Sequence, residues 1–173
     1  MSARATVRRR QDQDIPALTE ALGRVHARDG YPVEGISDPW ALLKPPGELA
    51  SWVAELSGVP IGQVSLTRAR AGDDAARLWC ADTGADLAHL ALLARLFVDP
   101  EHRSCGAGRH LVQAAVQYAQ ARGLAVALDV MDKDRAAIRL YERMGARRLG
   151  SITHHHSGDL TEPAAVYAFN AKA

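Results

Sequence analysis

Arg103-Ser104-Cys105-Gly106-Ala107-Gly108 stands between an apolar run, Leu90–Val98, and a helix-patterned segment that begins at Arg109. Main-chain N–H groups at the start of a helix have no partners within it and sit at the positive end of the macrodipole. A glycine-containing turn there lets the backbone close on an anion, so the stretch reads as a phosphate-binding loop. No Lys-Ser or Lys-Thr pair follows Gly108, and two glycines stand where a dinucleotide fingerprint needs three, which argues against a nucleoside triphosphate or NAD. Taken alone, such a turn is commonly a plain αβ connection.

Further along, after the strand-like Ala125–Val130, comes Asp134-Arg135-Ala136-Ala137-Ile138-Arg139-Leu140-Tyr141-Glu142-Arg143-Met144-Gly145-Ala146. Together the two segments resemble the acetyl-CoA-binding motifs of the GNAT superfamily of N-acetyltransferases. That family's loop pattern, Arg/Gln-x-x-Gly-x-Gly/Ala, is met by Arg103, Gly106 and Gly108. Its second pattern, Asn-x-x-Ala-x-x-x-Tyr-x-x-x-Gly-Phe, is met by Ala137, Tyr141 and Gly145. Leu96-Phe97-Val98-Asp99-Pro100 is similar to the family's fourth strand running into its loop. Three positions depart: Asp134 replaces Asn, Ser104 a frequent Gly, and Ala146 the usual Phe. Asp134 can still cap a helix, and Ser104 costs little if only its N–H is used.

The resemblance implies an α/β chain of the GNAT fold, a mixed central β-sheet with helices on both faces, in one domain of residues 1–173. It also implies acetyl-CoA as co-substrate. The pyrophosphate is expected on the N–H groups of Arg103, Ser104, Cys105, Gly106, Ala107 and Gly108, with charge from Arg103 and Arg109. Main-chain groups of Phe97 and Val98 would pair with the pantetheine arm and hold the acetyl carbonyl, and Asp134 would lie along that arm. Tyr141 is implied as the general acid toward the CoA sulfur; with a reference pKa of about 10 it is protonated at neutral pH. Without the family motif Tyr141 is simply a core tyrosine on a helix.

Working outward, a strand is expected near Ala5–Arg9 and a helix over Ile15–His26 with Asp14 as its N-cap. A loop with Gly30, Pro32 and Gly35 leads to a short helix near Asp38–Leu43, which Pro45-Pro46 ends. Ala50–Leu56 and Ile61–Leu66 flank Ser57-Gly58-Val59-Pro60 as a hairpin. Thr67–Ala88 reads as an insertion, or else a substrate-side flap, with a turn or two of helix in Asp74–Thr83. After the Leu90–Val98 strand, in which Arg95 is the polar exception, a helix puts Leu111, Ala115, Tyr118 and Ala119 on one face. Leu124–Val130 then returns parallel to Leu90–Val98 through a right-handed crossover. A helix at Ala136–Met144 and antiparallel strands near Ala146–Thr153 and Ala164–Phe169 complete the order β-α-α-β-β-β-α-β-α-β-β.

Composition narrows the function. The 173 residues are 47% apolar, enough for a core, and the formal charge of +1 gives no strong attraction to nucleic acid or membranes. Arg8-Arg9-Arg10 lacks interleaved aromatics and reads as a solvated strand end. Cys80 and Cys105 form neither a disulfide framework nor a Cys-x-x-Cys pair, so a reducing cytoplasm is the expected compartment. No long uncharged apolar stretch suggests a spanning helix, and Met1-Ser2-Ala3-Arg4 has no apolar run behind it.

Acetyl transfer also needs a proton acceptor, because an alkylamine is neutral only about one part in a thousand at pH 7. Glu55, Asp129, Glu34 and Asp38 are candidates that the sequence does not separate, and family members can use water alone. His154-His155-His156 does not read as a metal site, since neighbouring residues of a strand point to opposite faces. A turn through Ser157-Gly158-Asp159 accounts for it, with a histidine near the acceptor as the alternative. Cys105 lies inside the loop and is expected to pack rather than react. Two functions follow: direct N-acetyl transfer to a primary amine, or a non-catalytic acyl-CoA-binding module. Tyr141 favours the first. Within it, a small-molecule amine, received by Asp29, Glu34 and Asp38, competes with a protein N-terminus or lysine, and the family allows a homodimer.

Overall fold

A computed structural model describes residues 3–33, 35–156 and 158–171, so Glu34 and Ser157 of the readings above lie outside the described residues. Twelve elements follow in order: β1 (Thr6–Arg9), α1 (Ile15–Asp29), α2 (Pro39–Leu43), β2 (Glu48–Leu56), β3 (Val59–Arg68), α3 (Asp74–Thr83), β4 (Leu90–Val98), α4 (Ala107–Gln120), β5 (Ala125–Met131), α5 (Arg135–Arg143), β6 (Arg147–His155) and β7 (Thr161–Phe169). The strands form one mixed seven-stranded sheet in the order β1-β2-β3-β4-β5-β7-β6. Contacts divide the chain into two units, Met1–Thr67 with Ala94–Ala115, and Arg68–Leu93 with Val116–Ala173.

In the first unit, β1, β2 and β3 pair antiparallel. Ser57 and Gly58 both take left-handed conformations (φ 51° and 80°), the geometry of a two-residue hairpin turn whose twist matches the strands. The turn is therefore tighter than the four residues expected, and Val59 and Pro60 belong to β3. Helix α1 buries Ile15, Leu18, Ala21, Leu22 and Val25, one stripe at helical spacing, in a cluster with Leu43, Val53 and Phe97. Asp14 does not cap it. A 3-10 turn at Asp12–Asp14 runs straight into α1, so Asp14 already has helical dihedrals. Its carboxylate instead accepts from both Arg8 Nη atoms (2.9 and 2.7 Å) and from Gln11 N–H (2.7 Å).

Gly62 marks a close approach within this unit: an added Cβ would lie 2.5 Å from the Phe97 carbonyl oxygen and 3.1 Å from Val98 Cα. Backbone, not a flexible side chain, occupies that space. Gly62→Ala is therefore expected to lose about 1–3 kcal/mol of stability by overpacking, read as a lowered Tm; an unchanged Tm would show that the end of β4 yields without cost.

The second unit corrects the expected order. Thr67–Ala88 carries α3, nearly three turns long, where the sequence suggested a turn or two within an insertion or a substrate-side flap. Ala75, Ala76 and Trp79 bury against Leu90, Ala125, Ala127, Val166 and Ala168. The abundance of Ala and Asp disguised this helix as a polar connection, yet small alanines are what let it lie close on the sheet. Residues Leu90–Leu92 run parallel to Ala125–Ala127, as the crossover predicted. Strand β7 pairs antiparallel with both β5 and β6. In α4, Leu111, Val112, Ala115, Val116 and Ala119 are buried, whereas Tyr118, expected on that face, is only half-buried with the Arg122 guanidinium 3.4 Å over its ring.

Candidate active site

Phe97, Val98 and residues 103–109 belong to the first unit, and Asp134 and Tyr141 to the second. The loop is built on Asp99. This residue is 1% exposed; its N–H donates to the Ile61 carbonyl (2.7 Å), and its Oδ1 accepts from Glu101 N–H (3.0 Å), capping a 3-10 turn that Pro100 opens. Oδ2 accepts from Arg24 Nε and Nη2 at 2.8 and 2.6 Å. Burial pushes the Asp99 carboxyl up, but the Arg24 guanidinium and the Glu101 N–H outweigh it and hold the group below the ordinary carboxylate range. The loop thus leaves β4 from an ionised, doubly anchored post. The sequence held a signal for this in Asp99-Pro100, a cap followed by a proline at the first helical position.

Beyond that post the chain turns tightly. Ser104 and Gly106 are both left-handed, at φ 81° and 80°. Ser104 thus costs about 1–2 kcal/mol relative to a residue without Cβ, which corrects the expectation that serine is nearly neutral here. Gly106 O accepts from His110 N–H (3.1 Å), opening the 14-residue α4, which starts at Ala107 rather than after Gly108. Exposed Arg103 and Arg109 and half-buried His110 surround the turn, with Arg4 Nη2 3.5 Å from His110 Nε2. The donor set, helix-start N–H groups among cationic side chains, fits the pyrophosphate of acetyl-CoA.

Arg103 is already engaged. Its Nη2 donates to Asp29 Oδ2 (2.6 Å) and its Nε to the Val98 carbonyl (3.3 Å), joining loop, β4 and the end of α1. Phe97 is 5% exposed within the core, so anything it offers a ligand comes from its main chain. Cys105 Sγ donates to the His102 carbonyl (2.9 Å), in keeping with a packing role. Asp99, Glu101 and His102 bring ligand atoms near one another, but both Asp99 oxygens serve the bonds above.

In the second unit, α5 follows β5 through a short turn and buries Tyr141, whose carbonyl accepts from Met144 and Ala146 N–H at 3.2 and 3.0 Å. Asp134 stands at the N-cap position of α5 without a side-chain capping bond, so the expected cap is not made.

The candidate bases separate by their partners. Glu55 pairs with Arg8 Nε at 3.3 Å, and Asp38 caps α2 through Ala41 N–H at 3.1 Å. Asp129 accepts from His154 Nε2. Sequence reasoning missed this last pairing, because the two residues lie on strands separated by a third; it also missed Gly62, although a glycine inside a strand marks close backbone approach.

Residues 17–146 match the model of the Acetyltransferase (GNAT) family. The chain is 30% identical over 128 residues to a probable N-acetyltransferase camello of Xenopus tropicalis, covering 70% of this chain and 50% of that protein, so it spans about half the length of that curated relative. Among solved structures, the ribosomal-protein-S18-alanine N-acetyltransferase of Escherichia coli superposes with a TM-score of 0.71 at 20% identity, over 98% of this chain and 95% of that one. A putative acetyltransferase of Salmonella typhimurium with its cofactor acetyl-CoA superposes with a TM-score of 0.73 at 17% identity, over 96% and 94%. With the fold, the loop and the match over residues 17–146 in agreement, the chain belongs to the acetyltransferase (GNAT) family, an acyltransferase family.

Proposed function

We propose that this chain, working as one domain, moves the acetyl group of acetyl-CoA directly to a primary amine. The observation that carries the reading is the Arg103–Arg109 turn, with two left-handed residues and exposed arginines at the start of α4, in a chain with this family membership. When bound, acetyl-CoA supplies an acetyl group activated as a thioester. The loop N–H groups and Arg109 bind its pyrophosphate, main-chain groups of Phe97 and Val98 orient the pantetheine arm alongside Asp134, and Tyr141 donates a proton to the departing sulfur. A module that only bound acyl-CoA would have no use for that phenol.

The acceptor is read as a small-molecule amine. Asp38 is occupied as a cap, whereas Asp29 is held by Arg103 alone among its ion pairs on the described residues. Phosphates that recruit Arg103 leave the Asp29 carboxylate to meet a cation. No helix among the described residues is long and apolar enough to cross a membrane. Cys80 and Cys105 are both free thiols, from which we infer a cytoplasmic setting.

Acetyl-CoA at a hundred times its Kd should stabilise the protein by about 2.7 kcal/mol, a Tm rise of roughly 5–10 °C for a domain of this size. A panel of spermidine, ethylamine and an alanine-starting tripeptide, followed by CoA release, then separates acceptor classes. Fastest release with the tripeptide would replace the small-amine reading with protein N-terminal acetylation, and no Tm rise at millimolar acetyl-CoA would remove the cofactor site.

A further inference from the structure

We propose that His154 is the base of this acetyl transfer and that Asp129 is its positioning residue, an assignment that rests on the acetyltransferase reading above. Strands β5 and β6 are not neighbours; β7 runs between them. Asp129 stands opposite Val166 on β7 and His154 opposite Glu162, so the row between them is that of Ala164. Ala164 is fully buried, and its methyl group leaves the imidazole room to cross β7 and bring Nε2 onto Asp129 Oδ2. Asp129 lies on the same face of β5 as Ala125 and Ala127, against which α3 packs. The ring of His156, two residues along, stacks on that of His154 with centroids 5.8 Å apart and planes 14° apart, fixing its orientation.

The arrangement has the parts of a histidine base. Asp129 accepts the hydrogen bond from Nε2–H, which sets the tautomer and leaves Nδ1 as the basic nitrogen. Side chains 33% and 35% exposed remain open to a solute. Facing the ring are Asp129 on β5, Asp74 at the start of α3 and Glu162 on β7, with His156 beside it and Lys133 held 2.7 Å from Glu162. The hydrogen bond to Asp129, outweighing burial, raises the imidazole above its ordinary pKa, which brings it closer to an alkylammonium. In the reaction the ammonium proton passes to His154, and the freed lone pair forms the N–C bond to the acetyl carbonyl. The C–S bond breaks as Tyr141 gives its proton to sulfur and regains one from the new amide nitrogen. The proton held by His154 leaves to solvent, balancing the step.

The test is the pH profile of kcat/KM, read as CoA release with the fastest amine of the panel above, for wild type, His154→Gln, Asp129→Asn and His155→Gln. His154→Gln should fall about a hundredfold at pH 7 and lose its acidic limb. Asp129→Asn should keep a limb displaced to lower pH, because the carboxylate that raises the imidazole is gone, and exposed His155→Gln should superimpose on wild type. With hydroxylamine, neutral at pH 7, His154→Gln should match wild type. Acetyl-CoA should raise the Tm of every variant equally, which reads fold and cofactor site independently. A wild-type profile in His154→Gln would reduce the pair to a surface ion pair and overturn the proposal; an unmoved limb in Asp129→Asn would remove the positioning role. No CoA release by wild type with any panel amine would overturn the acetyl-transfer reading itself.

Discussion

Tyr141→Phe should lower kcat by about a thousandfold while leaving acetyl-CoA binding almost unchanged. The residue is 5% exposed, and phenylalanine keeps the ring and its packing, so the substitution removes the phenolic hydroxyl alone. A thioester sulfur leaves as a thiolate unless a proton reaches it, and a phenol with a reference pKa of about 10 carries one at neutral pH. The loss therefore belongs in kcat, since nothing in the loop proposed to bind the pyrophosphate is altered. CoA release with the fastest panel amine measures the rate, and the acetyl-CoA-dependent Tm measures binding. A rate within twofold of wild type would take the acid role from Tyr141; a lost Tm response would make it a binding residue instead.

Trp79→Ala should cost about 3–5 kcal/mol, because it removes the largest side chain that α3 buries against β5 and β7 and leaves a cavity in its place. The comparison is Arg77→Ala on the same helix, whose partner Asp74 is 2.9 Å away and which is 62% exposed; that pair is worth about 0–1 kcal/mol. Urea unfolding of both variants checks the contrast. Equal, small losses would show that the core does not need α3.

How far the residues themselves could be read follows from how local each signal is. The tight turn before α4 and the crossover from β4 to β5 were legible because glycine spacing, a helix start and alternating apolar runs act within a few residues. Strands β6 and β7 were legible for the same reason. Helix α3 was underestimated: alanines carry almost no periodic contrast, and only the sheet beneath them shows that they are buried. Asp14 looked like a cap by position, but a 3-10 turn one step earlier sent its carboxylate to Arg8.

For the site, the sequence by itself determined which residues we propose as bearers of the chemistry. Arg103, Gly106 and Tyr141 are recognisable by type and order, since the roles proposed for them depend on charge, backbone freedom and a phenolic proton that each residue brings with it. Only tertiary structure decided what the remaining charged groups do. Glu55, Asp38 and Asp129 looked equivalent as bases until Arg8 met Glu55, Ala41 N–H met Asp38 and His154 reached Asp129 across β7. A carboxylate's proton affinity and availability are set by the partners within a few ångströms of it. Partners brought together by sheet register are far apart along the chain, and no local pattern records them.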